Sequence, residues 1–242
     1  LGLTPSALAS DESFVRRVFI DLTGTLPTPK QAADFLNDKD PQKRDKLIDR
    51  LIDSPEFAYY FANKWADILR VKRGREGNSM QRAQGTFAFH DWIREAIARD
   101  MPYDEFVRSI LAATGDESRN PPTVWYKDLQ QPEQFVDDTA QVFLGLRIAC
   151  ANCHHHPYEK WGQDDYWGMA AFFGRIGKKN LPVPSTNPQA QGGAVQVIFT
   201  RPTGSVNNKR TGQPAKIKPL DGQPMELTAD DDPRQKLVDW MV

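Results

Sequence analysis

What most limits the folds open to this chain is the placement of its only two cysteines, which stand as Cys150-Ala151-Asn152-Cys153 and are followed at once by His154. Cys-x-x-Cys-His is the attachment signature of a c-type haem. Two thiols three residues apart on a turning backbone can each add to one vinyl group, while the next residue offers an imidazole to the iron from the same edge. A chain that carries this group has to arrange its interior around a large apolar cofactor. The competing readings are a strained disulfide within the pair, a redox dithiol, or half of a zinc site. A redox dithiol favours a thioredoxin-like strand and helix rather than a run of histidines, and a closed zinc site needs two further ligands nearby.

The 242 residues suffice for one large unit or two modest ones, with 39% hydrophobic residues for a core. Lys plus Arg at 31 nearly balances Asp plus Glu at 32, for a net charge of -1, so no overall field recommends nucleic acid or an anionic membrane as partner. The basic run Arg70-Val71-Lys72-Arg73-Gly74-Arg75 reads as a solvated loop rather than a docking patch. No apolar run approaches the roughly 20 residues that span a bilayer. The chain begins at Leu1-Gly2-Leu3-Thr4 without an initiator Met or signal peptide, as a mature or excised piece would.

Helix punctuation is legible along most of the chain. Phe14, Val15, Val18, Phe19 and Leu22 follow helical spacing after Ser10, and Gly24 ends that segment. Thr28-Pro29-Lys30-Gln31 combines a capping Thr, Pro at the first helical position and Gln at the third, opening a helix through Leu36. Asp40-Pro41 opens another, with Leu47, Ile48, Leu51 and Ile52 on one face, and Ser54-Pro55 starts the next, to Leu69. Val71 to Thr86 is polar and broken by Gly74, Gly77 and Gly85, which predicts a long surface loop. Helices are predicted over Phe87 to Ala98 and after Met101-Pro102, with loop from Gly115 to Pro122. Pro132-Glu133 begins the helix expected to carry the cysteine motif at its end, and Tyr166, Met169, Ala170 and Phe173 make a further apolar face.

The last quarter differs in character. Leu181 to Gly193 is rich in Pro, Gln, Asn and Gly, whereas Val195, Val197 and Phe199 alternate as a strand does. Val206 to Leu227 reads as short strands or an extended flap, and Asp230-Asp231-Asp232-Pro233 caps a final helix that reaches Val242 in mid-pattern, as if the natural chain continued. The expected fold is mainly α: a distinct multi-helix haem-binding domain over 1–180, a small β or extended flap over 181–229 packed on it, and over 230–242 the start of a following domain or linker helix.

The stretch Phe143-Leu144-Gly145-Leu146-Arg147-Ile148-Ala149-Cys150-Ala151-Asn152-Cys153-His154-His155-His156-Pro157, with Glu159-Lys160-Trp161 and Asp164 to Phe173 after it, resembles the planctomycete-type cytochrome family. So do Arg17 to Gly24, Leu47 to Leu51, Lys64 to Asp67 and Met101 to Phe106, and the resemblance covers nearly the whole chain. It implies secreted, multidomain proteins in which a second uncharacterised domain follows, and Asp232 through Trp240 is similar to that junction. It does not imply an activity. A compact cytochrome c has about 100 residues with its motif near the start, whereas roughly 150 residues precede the motif here, so a different helical architecture is expected.

His154 is the proximal iron ligand on this reading, with Cys150 and Cys153 holding one haem c covalently. His155 and His156 follow too closely to reach the other face of the ring, and their expected role is hydrogen bonding near a propionate or fixing His154. The sixth ligand is left between His90, Met169 and a site that is open or otherwise liganded. Trp161 joins the cofactor-binding residues, and with Trp65, Trp92, Trp125, Trp167, Phe172 and Phe173 it is expected to wall the cofactor and fill the core. Asp137-Asp138, Asp164-Asp165 and Asp230 to Asp232 read as helix starts and solvated faces, with a calcium site as the lesser alternative. No catalytic constellation stands out. The expectation is a single-haem electron-transfer domain, exported or periplasmic, that serves a linked domain or a separate redox partner protein rather than acting as an enzyme. A peroxidase-like or ligand-sensing haem protein with an open distal site is the alternative, and a non-haem binding module stapled by a metal or disulfide is the third.

Overall fold

Several helices in this chain begin where a side chain satisfies the first free N–H groups, as at Ser10, Thr28 and Asp232, and some are followed by a left-handed residue, as at Gly24 and Gly145. The computed structural model describes residues 4, 7–71, 80–183 and 193–242, and among them are ten α-helices and one two-stranded antiparallel sheet, a mainly α fold. Two compact units are formed, one from Leu1–Asp67 and Ile93–Asp100, the other from Ile68–Trp92 and Met101–Val242.

In the smaller unit, α1 (Asp11–Thr23) starts at Ser10, whose hydroxyl accepts the Ser13 N–H at 3.4 Å, and stops at Gly24 with φ at 72°. The stop needs glycine, because a Cβ there would also lie 2.5 Å from the Tyr60 ring. Helix α2 (Pro29–Asn37) carries the expected reciprocal cap: Thr28 accepts from the Gln31 N–H at 3.3 Å, and the Gln31 side chain accepts the Thr28 N–H at 2.8 Å. Helices α3 (Lys43–Ile52) and α4 (Pro55–Ile68) follow, the second opened by Ser54, which accepts the Phe57 N–H. The apolar stripes of α1, α2 and α3 meet in a core of Val15, Phe19, Phe35, Leu47 and Leu51. At the surface, Lys43 and Arg44 hold Asp11 at 2.7 and 2.6 Å, and their hydrogen bonds keep its carboxyl below the usual carboxylate range.

Helix α5 (Met80–Ala98) replaces the second half of the loop predicted for Val71 to Thr86; the first half, with the basic run beyond Val71, lies outside the described residues. Gly85, which the periodicity took for a break, is buried within the helix, and a Cβ there would meet the Glu117 side chain at 3.2 Å. Close packing outweighs the weak helix propensity of glycine at this position.

The rest of the larger unit comprises α6 (Tyr103–Leu111), a 3-10 turn at Pro121–Val124 leading into α7 (Trp125–Asp128), α8 (Pro132–Phe143), a second 3-10 turn at Ala149–Asn152, and α9 (Gln163–Ala171). Strands β1 (Ile176–Val183) and β2 (Gly193–Thr200) pair antiparallel, Ile176 opposite Thr200, and α10 (Pro233–Met241) closes the described chain. Only β2 shows alternation in the sequence; β1 is marked instead by Gly177, since a Cβ there would lie 2.4 Å from the Phe199 ring across the pair. Pro182 fits β1 because a two-stranded sheet leaves each strand an open edge. Residues 201–232 are irregular, with turns near 209–211, 220–221 and 229–230 and one bridge between Asn207 and Pro214.

Aromatic rings fill the core of this unit, Phe135 stacking on Phe173 at 5.4 Å and Trp125 edge-on to Tyr126 at 5.0 Å. One cation is buried among them. Arg234, at 1% exposure, grips the Asp232 carboxylate through two nitrogens at 3.0 and 2.7 Å, donates to the Ala113 carbonyl at 2.9 Å and the Thr200 hydroxyl at 3.0 Å, and lies 5.1 Å from the Tyr126 ring centre. It thereby ties α10 to α7, β2 and the segment after α6. Burial pushes the Tyr126 hydroxyl up to about 12. Burial also resists ionisation of Asp232, but the Arg234 bonds outweigh it and hold that carboxyl below the usual range.

Candidate functional site

The cysteine motif is not at the end of α8 as expected. That helix stops at Phe143; Gly145, with φ at 66°, turns the chain, and the Leu146 N–H closes on the Ala140 carbonyl at 2.9 Å. The motif then occupies the 3-10 turn Ala149–Asn152, in which the Cys150 carbonyl accepts the N–H groups of both Cys153 and His154 at 3.3 Å. Helices α8 and α9 pack on this turn. Ile148 and Ala151, at 1% and 0% exposure, anchor it inward. Cys150, Cys153 and His154 are left exposed, and the two thiols are unpaired.

The three histidines have separate settings. His154 Nδ1–H donates to the His155 carbonyl at 2.6 Å, which leaves the lone pair of the neutral ring on Nε2. His156 spends both ring nitrogens on backbone: Nδ1 accepts the Glu159 N–H at 2.9 Å and the Tyr158 N–H at 3.3 Å, so Nε2 carries the proton and donates to the Arg147 carbonyl at 2.9 Å. The His156 N–H donates to the Trp161 carbonyl at 2.8 Å, so this residue ties together a loop from Arg147 to Trp161. His155 lies against Gly162, where a Cβ would approach its Nδ1 to 2.9 Å.

Trp161, at 8% exposure, has its indole N–H buried with no acceptor among the described residues. Lys160 covers the ring at 4.8 Å and pairs with Asp221 at 2.6 Å. Met169 is on α9 at 0% exposure, inside the core. His90 is half-buried on α5 beside Phe89 and close to Trp92, whose ring stacks on Phe106 at 5.3 Å; none of the motif contacts described above reaches α5. Cys150, Cys153, His154, His156 and Trp161 thus share one loop, whereas Met169 is buried on α9 and His90 is on α5. Among the described residues no group of three or more His, Cys, Asp or Glu side chains is placed to hold a metal ion.

The sequence reading missed a polar chain that runs inward from the motif. Asn152 Nδ2 donates to the Tyr166 hydroxyl at 3.4 Å, and that hydroxyl lies 3.1 Å from Asp137 Oδ1 and 3.3 Å from the Glu133 carbonyl. Asp137 and Asp138 are not at a helix start: they sit midway along α8, Asp138 buried and paired with Arg70 at 2.8 Å. Burial holds the Asp137 carboxyl above its ordinary range against the Tyr166 hydrogen bond, and the charges of Asp138 and Glu133 add to the effect. Asp164 and Asp165 do open α9, as expected, and Arg210 and Lys218 pair with them at 2.7 and 2.9 Å. The sole sequence signal for the missed group was a double carboxylate placed too far into a helix to serve its N-terminus.

Fold and site define a mainly helical protein with two unpaired thiols and an imidazole displayed on one anchored turn. The chain belongs to the PSCyt2 family, proteins of unknown function (DUF1549) of planctomycete type, which it matches over residues 1–178. No curated protein and no solved structure matches it.

Proposed function

We propose that this chain is a single-haem c-type cytochrome domain that passes electrons to or from a linked domain or a separate redox protein outside the cytoplasmic membrane. The observation that carries the reading is the turn itself: Ile148 and Ala151 are buried, while Cys150, Cys153 and His154, within five residues of chain, are exposed. Thiols so displayed suit two thioether bonds at one edge of a macrocycle. The His155 carbonyl orients the His154 ring and leaves Nε2 for iron. The buried indole N–H of Trp161 is a donor of the kind a propionate accepts.

When bound, the haem supplies one-electron exchange at its iron. The protein residues have the remaining tasks. His156 holds the loop through three backbone groups and is thereby spent as an iron ligand. The apolar floor at Ile148 and Ala151 keeps water from one side of the turn, which bears on the potential. A second reading, with the sixth position open for ligand sensing or peroxidase-like chemistry, is favoured by the burial of Met169 in the core and the place of His90 on α5.

Co-expression with haem-attachment machinery, followed by a pyridine haemochrome assay and optical and EPR spectra, tests the proposal. The expected result is one covalent haem per chain, lost in a Cys150→Ser/Cys153→Ser variant, with a low-spin spectrum indifferent to carbon monoxide and cyanide. A high-spin, ligand-binding iron would establish the second reading. Absence of covalent haem would overturn both and return the cysteine pair to a metal- or disulfide-stapled module.

A further inference from the structure

The polar chain behind the motif ends on a titratable group with no task in the account above. Asn152 stands between the two cysteines and reaches the Tyr166 hydroxyl, which in turn has two acceptors within range, the Asp137 carboxylate and the Glu133 carbonyl. Among the described residues the charged groups facing Asp137 are Glu133 and Asp138 on its own helix and Arg70, two residues past α4, with Tyr166 coming from α9. Both nearby cations are engaged elsewhere, Arg70 with Asp138 at 2.8 Å and Lys209 with Glu133 at 3.0 Å. The other carboxylates close to the motif differ. Asp164 bonds Arg210, Asp165 bonds Lys218, and both are held below the ordinary carboxylate range.

We infer that Asp137 is a redox-linked proton site: it takes up one proton when the group held by Cys150, Cys153 and His154 gains one electron. The inference rests on the haem reading and adds to it a coupling that attachment alone does not require. The step balances simply. One electron arrives from the redox partner, one proton arrives from solvent, and an O–H bond forms on the Asp137 carboxylate with none broken. Charge added at the turn raises the proton affinity of a half-buried carboxylate that, among the described residues, makes no ion pair of its own. The hydrogen bonds survive the change. Before protonation the Tyr166 hydroxyl donates to Asp137; afterwards Asp137 donates to the Tyr166 oxygen, and the hydroxyl proton turns to the Glu133 carbonyl at 3.3 Å. Asn152 donates to the same oxygen in both states.

The test uses the full chain with haem attached. Carboxyl NMR titration of Asp137 in the oxidised and reduced protein is expected to show a proton affinity about tenfold higher in the reduced state, within the usual span of coupling between two sites. The midpoint potential is expected to fall with rising pH across the same interval. Asp137→Asn abolishes that dependence, whereas Asp164→Asn retains it. An Asp137 titration identical in the two redox states overturns the inference, and the NMR arm decides even if Asp137→Asn fails to fold. Covalent haem with an indifferent Asp137 removes only the coupling; a chain without covalent haem removes the coupling and the haem reading together.

Discussion

The smaller unit keeps its charges outside, whereas the larger unit encloses some of its own. In the smaller unit Lys30 and Asp34 pair in solvent, Lys43 and Arg44 meet Asp11 near the surface, and the core is aliphatic and phenyl carbon. In the larger unit Arg234 and Asp138 are buried: Arg234 pairs with Asp232 two residues before it and also reaches Ala113 and Thr200 far along the chain, and Asp138 pairs with Arg70. The difference lies in what a single change leaves behind. Losing an exposed pair returns both groups to water, but losing one member of a buried pair strands the other without it.

The strongest attempt to break this comparison is Arg234→Ala. It strands Asp232 and withdraws donors from Ala113 and Thr200, so the expected loss is about 3–5 kcal/mol by urea unfolding. A loss below about 1 kcal/mol would place the knot in the same class as surface pairs. In the smaller unit the most severe single change should instead be steric. Gly24→Ala forces a side chain into left-handed backbone and against Tyr60, for an expected loss of about 2 kcal/mol in the same assay. Thr28→Ala, which removes one side of the α2 cap, is expected to cost about 1 kcal/mol.

Within the larger unit, acidity separates two enclosed carboxylates of opposite behaviour. The folded-state value of Asp232 is lowered, so its contribution is present above the ordinary value of 3.8 and is lost as pH falls below it through the folded value. The folded-state value of Asp137 is raised, so folding favours its protonated form, and that advantage is lost as pH rises through the folded value. Asp137→Asn is therefore expected to raise the melting temperature slightly at pH 7 and to change little at pH 3. A drop at pH 7 would show that the ionised carboxylate stabilises the fold through Tyr166.

Ser10, Thr28, Ser54 and Asp232 are legible as helix starts because a cap involves side chain and backbone only two or three residues apart. The motif is legible for the same reason: the spacing of Cys150, Cys153 and His154 is itself the chemistry. What escaped is paired over long separations. Strand β1 follows from Phe199 lying over Gly177, the helical start of α5 from Gly85 packing beside Glu117, and the Asp137 site from a meeting of α8, α9 and the turn.

The sequence by itself determined that helices dominate, where most of them begin, and that two thiols and an imidazole share one short segment. Only the tertiary structure decided that Ile148 and Ala151 are the residues drawn inward so that the thiols face out, that His156 is committed to backbone, and that Arg234 is enclosed. The physical reason is range. Caps and motifs are satisfied within a turn of chain, whereas burial, and the distant carbonyl and hydroxyl that complete the bonds of Arg234, depend on which remote segments are packed together.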